Sequence, residues 1–252
     1  MESNTKSYFG YAIAGFLIWT SIYFTTTKLY PSYLTKEGAN NIEEVTSNKT
    51  FGTIVYFAVL IILQICIGWT VVGSNTKCDI LKNNGKMFGN VFISTFCPWF
   101  FIFGLAVIIN LYKTQFKQVF SNTFGYLFAG TEGDAIITTL LEDKTDVTTQ
   151  TISKIYDNPS FLINTFTPEN FTNKIEILKG LFKSDYVNVN TANFTYTTNG
   201  TTIEFTDPKN EFNKLFKVVE KKDMYGEFFW YLYNALFVIA VVTYNISLIS
   251  CN

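Results

Sequence analysis

Long apolar stretches without a charged residue alternate with polar segments along this chain. Four of them cover residues 8–27, 51–73, 88–112 and 228–250. An α-helix rises 1.5 Å per residue, so about 20 residues cross the roughly 30 Å hydrocarbon core of a bilayer. Because lipid offers the backbone no hydrogen bonds, such stretches are predicted to be helices. The pattern predicts an α-helical polytopic membrane protein with four transmembrane helices.

A segment of mixed character, residues 113–130, follows the third span. Its apolar side chains recur at helical spacing among Lys, Gln, Ser and Asn. It is too polar to cross the membrane and too apolar for a solvated helix, which favours an amphipathic interfacial segment or a docking helix. The alternative is ordinary core of the following domain. Gly125 and Ala129 would form a small face for close packing. The residues predicted to contact partners are Phe116, Phe120, Asn122, Phe124, Gly125 and Tyr126.

The polar segment 131–227 is long enough for a small domain. Its first part has apolar residues three and four apart, and the tripeptide Thr-Pro-Glu beginning at Thr167 is typical of a helix start. Between residues 186 and 205 the apolar spacing changes to two, and Asn199 with the following glycine is a strong hairpin signal. We therefore expect a small α+β extramembrane domain between helices three and four. The predicted order of domains is 1–112, 113–130, 131–227 and 228–252.

Small residues and a proline within or beside the spans predict helix packing. Gly10 and Ala14 are four residues apart, as are Gly85 and Gly89, and such pairs let two helices approach closely. Pro98 lacks a backbone N–H, so it removes one hydrogen bond and predicts a kink in the third span.

Composition narrows the chemistry that the chain can perform. Of its 252 residues none is histidine, and its 19 basic residues are all lysine. Without histidine there is no Ser-His or Cys-His nucleophile system and no HExxH metal site. The four cysteines include no CxxC pair, although Cys78 and Cys251 lie two spans apart and could form a disulfide in an oxidising compartment. We expect no catalytic residue, no cofactor and no metal, and therefore not an enzyme.

Charge bears on the partners. The net charge of −1 gives no reason to expect nucleic-acid binding. Lys217, Lys221 and Lys222 gather before the last span, where they would lie near lipid headgroups. The spans contain no ionisable Asp, Glu or Lys, whereas ion pathways usually do. The amides within them are more economically explained as interhelical hydrogen bonds; they are those of Gln64, Asn90, Asn110, Asn234 and Asn245.

Two stretches resemble membrane proteins of the nucleocytoplasmic large DNA viruses, the giant-virus group. They are STFCPWFFIFGL at 94–105, with Pro98 and Trp99 inside the third span, and FSNTFGYLFAG at 120–130. In the family pattern a proline precedes the second stretch, where this chain has Val119. The resemblance implies a protein of the virion inner membrane that ties lipid to capsid, and it supplies no catalytic residues.

These observations predict a non-enzymatic structural or interaction membrane protein. Its partners would be the lipid bilayer, other membrane or capsid proteins, and further copies of itself in a homo-oligomer. It would be an integral, multi-pass protein of the virion inner membrane or of a host membrane derived from the endoplasmic reticulum. The alternative is a channel or transport component that acts as an oligomer.

Overall fold

The computed structural model describes residues 2–27, 42–73, 84–113, 115–141, 159–182 and 211–249. These residues are almost entirely helical. The chain divides into two compact units. We call Met1–Phe116 together with Phe228–Asn252 the membrane unit, and Lys117–Glu227 the middle unit.

The membrane unit contains the apolar helices. They are α1 (Glu2–Thr27), α2 (Ile42–Gly73), α3 (Asn84–Pro98) and α4 (Gly104–Tyr112), with a π-helical turn (Trp99–Phe103) between the last two. A fourth span comes from α9 (Glu211–Ile249), whose first 17 residues, 211–227, lie in the middle unit. Four helices are thus long and apolar enough to cross a membrane. The predicted four spans are confirmed, and the chain is a multi-pass membrane protein by the length and composition of these helices.

The π-helical turn in the third span begins directly after Pro98. The N–H of Gly104 donates to the carbonyl oxygen of Trp99, five residues earlier, in place of the usual four. Since proline has no N–H to give to the α-helical pattern, a local change of hydrogen bonding at this point has an identifiable cause. Pro98 itself is buried.

The middle unit is built from shorter helices and the first part of α9. They are α5 (Gln115–Phe120), a π-helical turn (Ser121–Gly125), α6 (Tyr126–Leu140), α7 (Pro159–Thr165), α8 (Phe171–Leu178) and a 3-10 turn (Lys179–Leu181). The helix from α5 to α6 is continuous through residue 130. The sequence predicts a boundary at this residue, between the interfacial segment 113–130 and the domain 131–227.

The start of α8 follows the predicted signal. The backbone N–H of Asn170 donates to Thr167 Oγ1 at 3.3 Å, and the N–H of Thr167 donates to Asn170 Oδ1 at 2.8 Å. This reciprocal pair is a capping box with asparagine in the place of the usual Glu or Gln. The capping contacts predicted at Thr167 are present, but α8 itself begins four residues later, at Phe171.

The predicted α+β class of this segment is wrong. No described residue of the middle unit forms a β-strand, and the nearest feature is one isolated antiparallel bridge between Leu141 and Phe182. The alternating runs at 186–205 and the hairpin at Asn199 lie outside the described residues. Within the described part, apolar residues three and four apart bury one side of each helix, and each helix satisfies its own backbone. Helices therefore form the core where a mixed domain was expected.

That core joins α6, α7, α8 and the first part of α9. Its aromatic residues pack edge to face or tilted, with ring centroids 5.4 Å apart for Phe166 and Phe171 and 5.0 Å apart for Phe171 and Phe216. Such contacts add to the free energy gained from apolar burial. The residues of the core are Ala129, Ile136, Ile137, Leu140, Leu141, Leu162, Ile163, Phe166, Phe171, Phe182, Phe212, Leu215, Phe216, Val218 and Val219.

Candidate functional site

The six predicted interaction residues lie on one helix but do not share one surface. Phe116 and Phe124 are exposed, and Phe120, half-buried, stacks on Phe124 with ring centroids 6.2 Å apart. Asn122, Gly125 and Tyr126 instead make contacts within the middle unit. The phenylalanines are therefore exposed or half-buried, whereas Asn122, Gly125 and Tyr126 contact other residues of the middle unit.

Tyr126 is held by an acidic side chain. Its hydroxyl donates to Asp134 Oδ2 at 2.6 Å, two turns along α6. Burial, together with this hydrogen bond to Asp134, raises the pKa of Tyr126. The hydroxyl is thus engaged inside the unit.

Gly125 allows α5–α6 to touch the backbone of α9. A methyl group at Gly125 would overlap the carbonyl oxygen of Lys222, and Ala129, one turn on, is fully buried. The predicted small face is confirmed. On the facing helix, a methyl group at Gly226 would lie 2.6 Å from the backbone nitrogen and Cα of Ser121. Two helices cross here with only hydrogen and small side chains between their backbones.

A buried ion pair lies beside this crossing. Lys117 is only 3% exposed, and its Nζ donates to Asp223 Oδ2 at 2.7 Å. Burial disfavours the ammonium, but the carboxylates of Asp223 and Glu227 outweigh that effect, and the pKa of Lys117 is raised. Lys117 is therefore a fixed positive charge in the middle unit.

A second buried lysine has a different environment. Lys222 is 1% exposed, and its Nζ donates to three oxygens: Asn122 Oδ1 at 3.0 Å, the Ile163 carbonyl at 2.9 Å and the Phe166 carbonyl at 3.1 Å. All three acceptors are uncharged. Burial lowers the pKa of Lys222 to about 8, despite the nearby carboxylate of Asp223. The ammonium is bound by dipoles instead of by a carboxylate.

The position of these oxygens explains why an ammonium is tolerated there. Ile163 lies in the last turn of α7, and Phe166 follows that helix directly. Carbonyls at a helix C-terminus lack intrahelical partners and carry partial negative charge, which a cation satisfies. Lys222 thus links α5–α6, α7 and α9 at one point. Because its three donors are all used in these bonds, the arrangement positions helices and presents no reactive amine at the surface.

The buried polar side chains among the described residues of the membrane unit are neutral, and two of their amides bond between helices. Gln64 Nε2 donates to the Ala12 carbonyl at 3.0 Å, and Asn110 Nδ2 donates to the Tyr231 hydroxyl at 2.9 Å. The predicted interhelical bonds of these two amides are confirmed. Asn234 differs, since it donates to Trp230 one turn earlier in its own helix.

Aromatic rings fill much of the interior of the membrane unit. Tyr56 stacks on Tyr23 and Tyr231, with ring centroids 4.4 and 5.9 Å apart, and Trp99 stacks on Phe16 at 6.4 Å. Stacked and edge-to-face rings are stiff, large contacts. Aromatic contacts, and not charged groups, therefore fix the packing of the helices inside this unit.

The four small residues predicted to pack helices occupy open positions in this chain, whereas Pro98 is buried. No atom lies within 4 Å of the place where a methyl group at Gly10 or Gly89 would be, and Ala14 and Gly85 are exposed. A role for these four in contacts with another chain stays a prediction. The close contact that sequence missed is at Gly15, where a methyl group would lie 2.9 Å from Ile67.

Neither a disulfide nor a metal site can be built from the described residues. Cys78 and Cys251 lie outside them, so the predicted disulfide stays a prediction, while Cys66 and Cys97 are free thiols. No group of three or more Cys, Asp or Glu side chains in the described ranges is arranged to hold a metal ion.

The buried lysines are what sequence reasoning missed. The sequence predicts that Lys217, Lys221 and Lys222 all lie near lipid headgroups, but in the structure Lys222 is buried and only the other two are exposed. A helical pattern could have indicated its burial, because Lys222 is three and four residues from Val219 and Val218, which are also buried.

No family model matches the sequence, and no curated protein and no solved structure matches it. The class that fold and composition define is a multi-pass α-helical membrane protein.

Proposed function

We propose that this chain is a non-enzymatic structural membrane protein, which links the bilayer of a virion to capsid or assembly partners. It acts by contact. Its membrane unit anchors it through four spans, and its middle unit supplies a folded helical surface for contact.

One observation supports the proposed structural role: the buried lysines, which are the polar groups best placed for chemistry, are bonded to other helices of the same unit. Lys117 is paired with Asp223, and Lys222 gives three hydrogen bonds to the oxygens of other segments. A buried, fully bonded lysine fixes the arrangement of the helices that surround it. Such a unit suits a scaffold that must keep its shape while it binds neighbours.

The virion location has a different support. It comes from the resemblance of residues 94–105 and 120–130 to membrane proteins of the nucleocytoplasmic large DNA viruses. The first stretch holds the proline and the π-helical turn of the third span, and the second holds the close helix crossing at Gly125. The two stretches that carry the resemblance thus coincide with two unusual local structures.

The proposal is tested by quantitative mass spectrometry on gradient-purified virus particles from the source, before and after the membrane is stripped with detergent. We expect copy numbers comparable to those of minor capsid components, with release alongside lipid. Absence from particles, with recovery in host membranes, would exclude the virion role. A matched soluble host protein measures contamination.

A channel or transport component is the second candidate, and two buried atoms favour it. Gln64 Oε1 and Thr95 Oγ1 lie inside the membrane unit without a hydrogen-bond partner among the described residues. Polar atoms left in this state in a protein interior usually bind water or a polar solute. Ion or solute flux through liposomes that contain the full chain would support this candidate, and flux equal to empty liposomes would remove it.

A further inference from the structure

The outward side of α5 and α6 is apolar over part of its length. Within the middle unit its exposed large side chains are those of Val119, Phe124, Leu127 and Phe128, which we call the outer face, and Val119 and Leu127 are 65% and 72% exposed. Thr123 is the exposed polar residue among them. From Val119 to Phe128 the helix rises about 14 Å. Soluble proteins rarely leave contiguous apolar surface of this kind in water. Something apolar therefore covers the outer face.

The outer face ends abruptly in the direction of Leu140. The next exposed side chains of α6 are those of Thr131 and Glu132, and further on those of Ala135, Thr138 and Thr139. Glu132 forms an exposed ion pair with Lys221 of α9, with 3.2 Å between the two atoms. One turn of helix thus separates an apolar surface from a charged one.

The same change occurs at the same level on α9, which runs antiparallel to α6 here. Phe128 stacks on Tyr225 with ring centroids 4.9 Å apart, and four residues away in each helix Glu132 pairs with Lys221. Two helices of opposite direction therefore pass together from aromatic to charged side chains. A flat boundary between an apolar and an aqueous phase requires this coincidence, whereas a patch for a protein partner does not.

Along the sequence, the apolar end of the outer face adjoins the apolar runs of the third and fourth spans. Tyr225 precedes Phe228, the first residue of the apolar run of α9, by three residues in one helix, a rise of about 4.5 Å. At the other end, α5 begins three residues after Tyr112, where the third span ends. Three charged side chains of α5 and α9 near this end, those of Lys117, Asp223 and Glu227, are buried or nearly so, and Lys117 pairs with Asp223, as ionisable groups do in the apolar part of a membrane protein. Lys113, which precedes α5, is exposed.

We propose that the outer face lies in the same bilayer that the four spans cross, with Val119 and Leu127 against acyl chains and the Glu132–Lys221 pair among the headgroups. The occupant of this surface is lipid, not a protein partner. The membrane-embedded part of the protein then extends beyond Tyr112 and Phe228, the limits given by the apolar runs. This inference needs membrane insertion only and does not depend on the virion location.

The test is photocrosslinking from single positions in the full chain, reconstituted in phosphatidylcholine vesicles. Benzoylphenylalanine replaces Leu127 in one variant, Thr138 of the same helix in the negative control, and Phe101 in the positive control. Phe101 is 65% exposed within the third span, so lipid is its neighbour. After irradiation, intact-mass spectrometry measures the yield of lipid adducts.

We expect a lipid-adduct yield at Leu127 close to that at Phe101 and several-fold above that at Thr138. A yield at Leu127 as low as that at Thr138 would overturn the proposal, since the face would then lie in water. Crosslinked dimers at Leu127 in place of lipid adducts would also overturn it, because a second copy would be the occupant. The same measurement at Val119 gives an independent reading two turns earlier. Amide hydrogen exchange of peptides within 117–227 verifies that the variants at Leu127, Thr138 and Val119 are folded, and tryptophan fluorescence does so for the variant at Phe101.

Discussion

The two units differ in the kind of polar group that they bury. In the membrane unit the buried polar groups are neutral, and the amide of Gln64 is one example. The hydroxyls of Thr20 and Tyr56 are two more, and they bond to each other at 2.9 Å. In the middle unit two lysines, Lys117 and Lys222, and two carboxylates, those of Asp223 and Glu227, are buried or nearly so. One helix, α9, contributes to both, with eight charged residues in 211–227 and none from Phe228 onward.

This difference teaches where each unit is vulnerable. Neutral polar groups cost little to bury and contribute little each, so the membrane unit distributes its stability over many aromatic and aliphatic contacts. Removing charge from water is expensive, and only an excellent partner offsets that cost. The middle unit therefore concentrates its sensitivity in a few contacts around Lys117 and Lys222. Single substitutions in the two units should have very different effects.

The tryptophans allow the two units to be followed separately. All four, Trp19, Trp69, Trp99 and Trp230, lie in the membrane unit. Their fluorescence reports that unit alone, while amide hydrogen exchange of peptides within 117–227 reports the middle unit. Each variant below is compared by both readouts in detergent micelles.

The largest effect is expected from Lys117→Met. The substitution leaves the carboxylates of Asp223 and Glu227 near each other without their cation, and breaking a buried pair costs about 3–5 kcal/mol. The control is Lys221→Met, which breaks the exposed pair with Glu132 and should cost less than about 1 kcal/mol.

Hydrogen exchange of the peptides from α5–α6 and from 211–227 measures both variants. We expect fast exchange throughout these peptides in Lys117→Met and exchange close to that of the unsubstituted protein in Lys221→Met. Equal effects of the two substitutions would show that the buried pair has no special weight.

A structural feature could be predicted from the sequence where it depends on residues close together in the chain, and not where it depends on residues far apart. A charge-free run of 20 residues is a local property, so the four spans could be predicted, and so could the capping Thr167 and the small face at Gly125. The burial of Lys222 is not local, because its acceptors lie 56 to 100 residues away in the chain. The α+β prediction depended on two-residue alternation confined to 186–205, which lies outside the described residues, whereas the described residues of this segment have apolar side chains at helical spacing and form helices.

The close helix crossing gives the next largest effect. Gly226→Ala places a methyl group against the backbone of Ser121, so the helices must separate, and overpacking of this kind costs about 1–3 kcal/mol. Gly180→Ala is the control, since no atom lies within 4 Å of its added methyl group. Chemical denaturation followed by hydrogen exchange should show loss of stability in the first variant only. A stable Gly226→Ala protein would contradict the contact between backbones.

Lys222 predicts a pH dependence with a definite sign. Its pKa is about 8 in the folded protein, against 10.5 for an ordinary lysine, so the unfolded chain binds more protons between these values. Stability should therefore rise with pH from about 8 to 10.5, by about 1 kcal/mol per pH unit within the window. Lys117 has a raised pKa and loses its contribution only above 10.5, outside this window.

Lys222→Met removes the titrating group and serves as the reference. The difference in unfolding free energy between the unsubstituted protein and Lys222→Met, measured at pH 7.5 and 9.5, cancels the other titrating groups. We expect the difference to move in favour of the unsubstituted protein at the higher pH. Movement in the opposite direction would mean that the three hydrogen bonds of the ammonium outweigh its burial.

The smallest effect is expected in the membrane unit. Gln64→Leu removes one hydrogen bond to Ala12, and interhelical bonds of this type contribute about 0.6 kcal/mol in membranes. The same substitution also removes Gln64 Oε1, which has no partner among the described residues, so the net change should be smaller still. Unfolding by SDS, followed through tryptophan fluorescence, measures it against Asn90→Leu at an exposed position of the third span. A loss for Gln64→Leu as large as that for Lys117→Met would erase the contrast between the units, because neutral and charged groups would then stabilise them equally.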